Sequence, residues 1–179
     1  MYPLQKISTI VYCVGWYLKL LVFPHPLTHD YYPYHVPKMN PTDLMTILSL
    51  LLILALVSIS FYFRKKEKVA WFNVLYFFIT VSIVSNLVFP VGTFMNERFL
   101  FMPSLGFSFY CAYLSLKGLE GGSKTSKILI YSILGLAMVL YGFKTVVRVP
   151  DWKDSMTLNL AGAGVSKNSA RINLFTGVS

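Results

Sequence analysis

Glu97 and Arg98 stand side by side where a long apolar run begins, in a chain only 13% charged. Charged groups at membrane depth are expensive and usually face a bundle interior or a wet cavity. The alternative is an interfacial anchor, with Arg98 snorkelling to lipid headgroups. Neighbours in sequence point about 100° apart on a helix, so each needs its own partner. An outward-facing Arg offers a planar fork of donors that suits a phosphate. Otherwise it pairs with an acid elsewhere in the bundle, Asp30 among them.

The second group with chemistry lies between Pro24 and Pro41, where His25, His29, Asp30 and His35 sit among tyrosines and prolines. Asp30 is a candidate general base, although nothing in the sequence raises its pKa or presents an acceptor. His25 and His29 have the i, i+4 spacing that would hold a metal on a helix. Pro26 and its neighbours argue against that helix, and solvated loop histidines are the commoner outcome. Ser82, Ser85 and Asn86 would share one face of a helix, as packing contacts between helices or as substrate contacts. The sequence contains no phosphate-binding loop, nucleophilic triad or Cys/His metal set, so neither metal nor cofactor is expected.

The elements that must position these residues are apolar and long. Hydrophobic residues make up 55% of 179, aromatics 16%, and mean hydropathy is +0.59. A bilayer core needs about 20 helical residues, and five runs approach that length: 7–23, 43–63, 69–89, 99–117 and 127–147. The expected fold is an all-α polytopic membrane bundle of about five spans. The net charge of +9 sits mostly at the ends of the runs, which points to anionic lipid rather than nucleic acid as the counter-charge. Cys13 and Cys111 fall inside apolar runs and read as small core residues. Thr42 or Asp43 can cap the second run, and Pro103 removes a backbone hydrogen bond early in the fourth.

Lys and Arg cluster at 64–68 and 117–127. The positive-inside rule makes those two loops cytoplasmic. The Pro/His/Tyr loop, the 96–98 corner and the tail then face the periplasm or lumen, although Lys144, Arg148 and Lys153 oppose that assignment. After Arg148 the composition changes, with short helices expected over 152–163 and from Ser166. The chain thus divides into a bundle, 1–148, and a helical tail, 149–179.

Three stretches together resemble one family. They are Leu21-Val22-Phe23-Pro24-His25-Pro26-Leu27-Thr28-His29-Asp30-Tyr31, Asn96-Glu97-Arg98-Phe99-Leu100-Phe101-Met102-Pro103-Ser104-Leu105-Gly106-Phe107, and Trp152-Lys153-Asp154 with Asn168-Ser169-Ala170-Arg171 and Asn173. They are similar to the outer loop, the acidic-Arg/Pro-Ser-x-Gly-Phe motif and the lead-in to the repeats of the transmembrane and tetratricopeptide-repeat O-mannosyltransferases and their bacterial relatives. The resemblance implies a GT-C type integral-membrane glycosyltransferase. Such an enzyme moves sugar from a polyprenyl-phosphate donor to a protein Ser/Thr hydroxyl on the non-cytoplasmic side, in the bacterial inner membrane or the endoplasmic reticulum. In the whole enzyme an acidic residue of the first outer loop is the base. This chain has about five spans where the family has around ten or more, and no further acidic loop upstream. It therefore resembles the C-terminal half of the membrane domain, ending within a first repeat.

The resulting candidate site has Asp30 as base, with Arg98, Glu97, Asn86 and His29 as substrate contacts. The expected partners are the lipid-linked sugar, the protein acceptor and membrane lipids. A different class stays open: a non-catalytic membrane anchor presenting tetratricopeptide repeats for protein interaction.

Overall fold

The computed structural model describes residues 2–29, 31, 36–87, 95–167 and 169–177. Helices dominate: α1 (Pro3–Val22), α2 (Leu44–Phe63), α3 (Lys68–Val84), α4 (Phe101–Gly121), α5 (Lys124–Arg148), α6 (Ser155–Val165) and α7 (Ala170–Thr176). Short 3-10 turns at Glu97–Leu100 and Val149–Trp152 lead into α4 and out of α5. No strand occurs among the described residues. The chain is an all-α bundle with long apolar segments, and it is an integral membrane protein.

Among the described residues, three segments are long and apolar enough to cross a membrane: Leu44–Phe63, Glu97–Gly121 and Lys124–Trp152. The best window of the last has none of its residues buried within the protein. Such sides are tolerable only in an apolar surrounding, where every backbone polar group is satisfied inside its own helix. α3 is apolar too but has 17 residues. It closes at Val84, short of the run expected to reach Phe89, because Asn86 takes the left-handed conformation, φ +60°. Asn is among the few non-glycine residues that tolerate that region.

α1 is the inside of the bundle. Its Ile10, Cys13, Val14, Tyr17 and Leu20 face is buried against Tyr31, Phe77, Val81 and Met95. α1 packs on α2 and α3 on α4. Lipid tails are as apolar as Leu, so helices in a membrane associate through close fit at small residues. Gly15 meets Ser49 between α1 and α2, and Gly106 meets Tyr76 and Asn73 between α4 and α3. A Cβ on Gly106 would stand 2.9 Å from the Tyr76 ring. At the opposite end from the corner, Glu67 bonds to Lys117 and accepts from Tyr113 Oη at 3.3 Å. The Lys117 ammonium holds the Glu67 carboxyl below its ordinary value.

Three local expectations can be followed into the structure. Asp43 occupies the cap position of α2, but its carboxylate accepts from Asn40 N–H at 2.6 Å and does not bond the helix. Pro103 falls in the first turn of α4, where a missing N–H is best tolerated, and the 97–100 turn runs straight into that helix with Phe101 N–H on the Arg98 carbonyl. The tail helix begins at Ser155 rather than 152. Asp154 accepts from Thr157 N–H at 2.8 Å and completes a capping box.

Candidate functional site

The corner before α4 is built on Asn96, which is 3% exposed. Its N–H donates to Tyr17 Oη at 3.0 Å, and its C=O accepts from the same hydroxyl at 3.3 Å. Nδ2 donates to the His29 carbonyl at 3.1 Å. Oδ1 accepts from Arg98 N–H at 3.1 Å and from Arg98 Nε at 3.3 Å. One residue thereby fixes α1, through its backbone, to the outer loop and the 97–100 turn, through its side-chain amide. Tyr17 and Asn96 are one buried unit in which every polar group named has a partner.

Glu97 points toward the outer loop. Its carboxylate accepts from Thr28 N–H and, at 3.2 Å, from Tyr31 Oη. Arg148, at the end of α5, reaches the other oxygen with Nη2 at 3.3 Å and gives Nη1 to the Leu27 carbonyl at 3.0 Å. The two side chains are 17% and 22% exposed, so solvent screens the pair only in part. Burial and the neighbouring Glu97 charge push the Tyr31 phenol well above its ordinary value, keeping it a donor. The partner that Glu97 needs is therefore Arg148, on another helix.

Arg98 has different partners. It is exposed, and among the described residues it forms no ion pair; its hydrogen bonds are to Asn96. It lines a cleft of about 400 Å³ with Glu97, Leu20, Leu27, Phe101 and Ser104. A cation at the rim of an apolar cleft can hold an anionic group attached to a hydrocarbon chain.

His29 Nε2 lies 3.2 Å from Asn159 Oδ1 of α6, and its ring packs against Gly162. His25 instead stands 3.4 Å from Lys144 Nζ. The stretch carrying both is not helical, so the i, i+4 spacing does not put them on one face. Ser85 and Ser82 donate to carbonyls of their own helix at 3.2 and 2.8 Å. Asn86 is buried past the end of α3. The expected three-residue helical stripe is therefore broken at Asn86. Asp30, the candidate base, lies outside the described residues, as does His35. No group of three metal-ligating side chains occurs among the described residues.

The structure thus brings Glu97, Arg98 and the His29 backbone together around Asn96. It adds Tyr17, Thr28, Tyr31 and Arg148, which the sequence reading did not select. The tail joins the same knot: Ser166 Oγ donates to Thr28 Oγ1 at 2.9 Å, and both residues are buried.

Comparison with known proteins gives a consistent set of relatives. A Caenorhabditis elegans protein O-mannosyl-transferase is 29% identical over 154 residues, 86% of this chain and 22% of its own length. The mouse protein O-mannosyl-transferase TMTC1 is 26% identical over 179 residues, covering 96% of this chain and 19% of the relative. A Drosophila melanogaster protein O-mannosyl-transferase is 32% identical over 88 residues, 49% of this chain and 10% of the relative. The chain thus spans between 10% and 22% of the length of these three relatives. No protein-family model matches the chain, and no solved structure matches it.

Proposed function

We propose, from the match to protein O-mannosyl-transferases, that this chain is part of a GT-C type membrane glycosyltransferase. In this reading it transfers a sugar from a polyprenyl-phosphate donor to a protein Ser/Thr hydroxyl on the non-cytoplasmic side. Arg98 grips the donor phosphate, and the apolar wall of its cleft receives the start of the polyprenyl chain. Glu97 and Arg148 set the outer loop that carries His29 and Asp30, with Asp30 as the base. Asn86 is a further substrate contact. Residues 1–148 form the membrane part, and α6 and α7 open a tetratricopeptide array.

The observation that supports this most directly is the contrast between the two neighbours. Glu97 is held by three partners, whereas Arg98 presents its guanidinium at an apolar cleft without a carboxylate partner among the described residues. Removing one partner of a desolvated charge-assisted contact costs about 2–5 kcal/mol. In the full-length enzyme, matched for membrane expression, Arg98→Ala should lose most donor binding. Arg98→Lys should be impaired as well, because it keeps the charge and loses the fork. Equal binding and turnover of a labelled polyprenyl-phosphate sugar by wild type and both variants would reject the phosphate role.

The second reading, a membrane anchor for interaction repeats, draws support from the packing of α6 on α7. It expects a full-length protein without transferase activity that still captures partners through the repeats. Impermeant thiol labelling of single cysteines at the exposed positions Gly121 and Lys167 in sealed cells tests orientation. Labelling at Gly121 alone would reverse the proposed topology.

A further inference from the structure

A second cleft, of about 240 Å³, lies on the opposite side of the Pro24–Leu27 rib from Arg98. Its wall is the face of α5 carrying Tyr141, Lys144 and Arg148, and its lip is Trp152. Tyr141 Oη donates to the Leu21 and Val22 carbonyls at 3.1 and 3.0 Å, closing the floor against the last turn of α1. Arg148 is matched here by Glu97 and the Leu27 carbonyl. Lys144 has no carboxylate in contact among the described residues: its neighbour is His25 Nδ1 at 3.4 Å, and Glu97, already paired with Arg148, attracts it only from beyond ion-pair distance. Asp151 lines a separate small pocket with Thr28 and Gly162 rather than this cleft.

Depth decides what can reach that charge. The apolar segment from Lys124 to Trp152 has 29 residues, about 43 Å at 1.5 Å per residue, against a hydrocarbon core of about 30 Å. Its ends must therefore stand among headgroups. Lys127 and Lys144 lie roughly 25 Å apart along the axis, so with Lys127 at one boundary Lys144 comes within about 5 Å of the other, a gap its side chain spans by snorkelling. Leu140 and Leu136 precede Lys144 by one and two turns on the same face, 58% and 60% exposed. Trp152, 51% exposed, has the amphipathic ring that settles at this depth.

We infer that this cleft binds the phosphate headgroup of an anionic membrane phospholipid, with Lys144 as its cation and the Leu140–Leu136 stripe under its acyl chain. The occupant is a lipid rather than a soluble anion because the cation ends an exposed apolar stripe, which an acyl chain covers and a soluble anion does not. The site is separate from the Arg98 cleft and stands whether or not the chain transfers sugar.

The test uses the full chain in lipid nanodiscs with Trp16→Phe and Trp71→Phe, which leave Trp152 as the remaining tryptophan. Phosphatidylglycerol brominated on its acyl chains should quench Trp152 more than brominated phosphatidylcholine at equal mole fraction. Lys144→Gln should weaken that preference about five-fold, the effect of one interfacial cation at ~1 kcal/mol, and Lys144→Arg should keep it. Inorganic phosphate and glycerophosphate should not relieve the quenching. Equal quenching by both lipids overturns the proposal, as does a preference that survives Lys144→Gln or is lost in a folded Lys144→Arg. Relief by tail-free phosphate overturns the lipid assignment in favour of a soluble phosphate ligand.

Discussion

Replacing Arg148 with Met removes the charge and keeps most of the side chain's bulk. Two hydrogen bonds go with it, to Glu97 at 3.3 Å and to the Leu27 carbonyl at 3.0 Å. Breaking a fully buried pair from one side costs about 3–5 kcal/mol. Here the partners are 22% and 17% exposed, and Glu97 keeps Thr28 and Tyr31 as donors, so a cost of about 2–3 kcal/mol is the reasonable figure. Glu97→Gln keeps an acceptor for those donors and loses only the charge, so it should cost about 1–2 kcal/mol. Because a neutral amide at that position no longer needs a cation, the double variant should be less unstable than the sum, with a coupling of about 1–2 kcal/mol. Reversible unfolding in mixed detergent micelles measures all three variants. Trypsin cleavage within the 24–41 loop provides a local readout, which should accelerate with Arg148→Met. Additive effects, or an unchanged loop, would mean that the pair holds nothing and that Glu97 is sustained by Thr28 and Tyr31 alone.

Tyr17→Phe should destabilise by about 1–3 kcal/mol, because it leaves both backbone groups of Asn96 unmatched by Tyr17; wild-type unfolding would show that water replaces the hydroxyl. A Cβ on Gly162 would meet the His29 ring at 2.8 Å, so Gly162→Ala should shift the His29 ring signals in NMR and loosen the tail, whereas unchanged signals would place the ring elsewhere. Thr157 N–H holds the Asp154 carboxyl below its ordinary value. Its contribution is therefore complete above the unfolded-state pKa and lost as pH falls through the lower folded value. Amide exchange in α6 should accelerate on acidification through that range in wild type and lose the pH dependence in Asp154→Asn. A pH dependence retained in that variant assigns it to another group.

The apolar helices were legible because membrane solvation imposes a length and a composition that local sequence carries directly. The start of α6 was nearly so, since a cap is a contact between residues three apart. The corner at 96–98 announced itself by charge in an apolar setting. The partner of Glu97 did not, because Arg148 lies 51 residues away on a helix whose turn-by-turn pattern says nothing about what its end will meet. Arg98 stands out by its charge where Asn96 does not: a residue joining three elements through its backbone and its amide looks in sequence like any other loop Asn. The helical stripe over 82–86 failed for a local reason, the reversal of backbone hand at Asn86.

The Glu97–Arg148 contact also sets a timetable for biogenesis. Glu97 leaves the ribosome 51 residues before Arg148, roughly 3–10 s at ordinary elongation rates. Throughout that interval an acidic side chain at a membrane boundary waits for a cation that the chain has not yet made. The corner and outer loop cannot settle until α5 has been delivered, and the docking of Ser166 on Thr28 comes later still. A nascent chain arrested before Arg148 would hold α1 to α4 and an unfinished outer surface. It would thus present membrane quality control with a bundle whose greasy parts are correct and whose polar rim is still open.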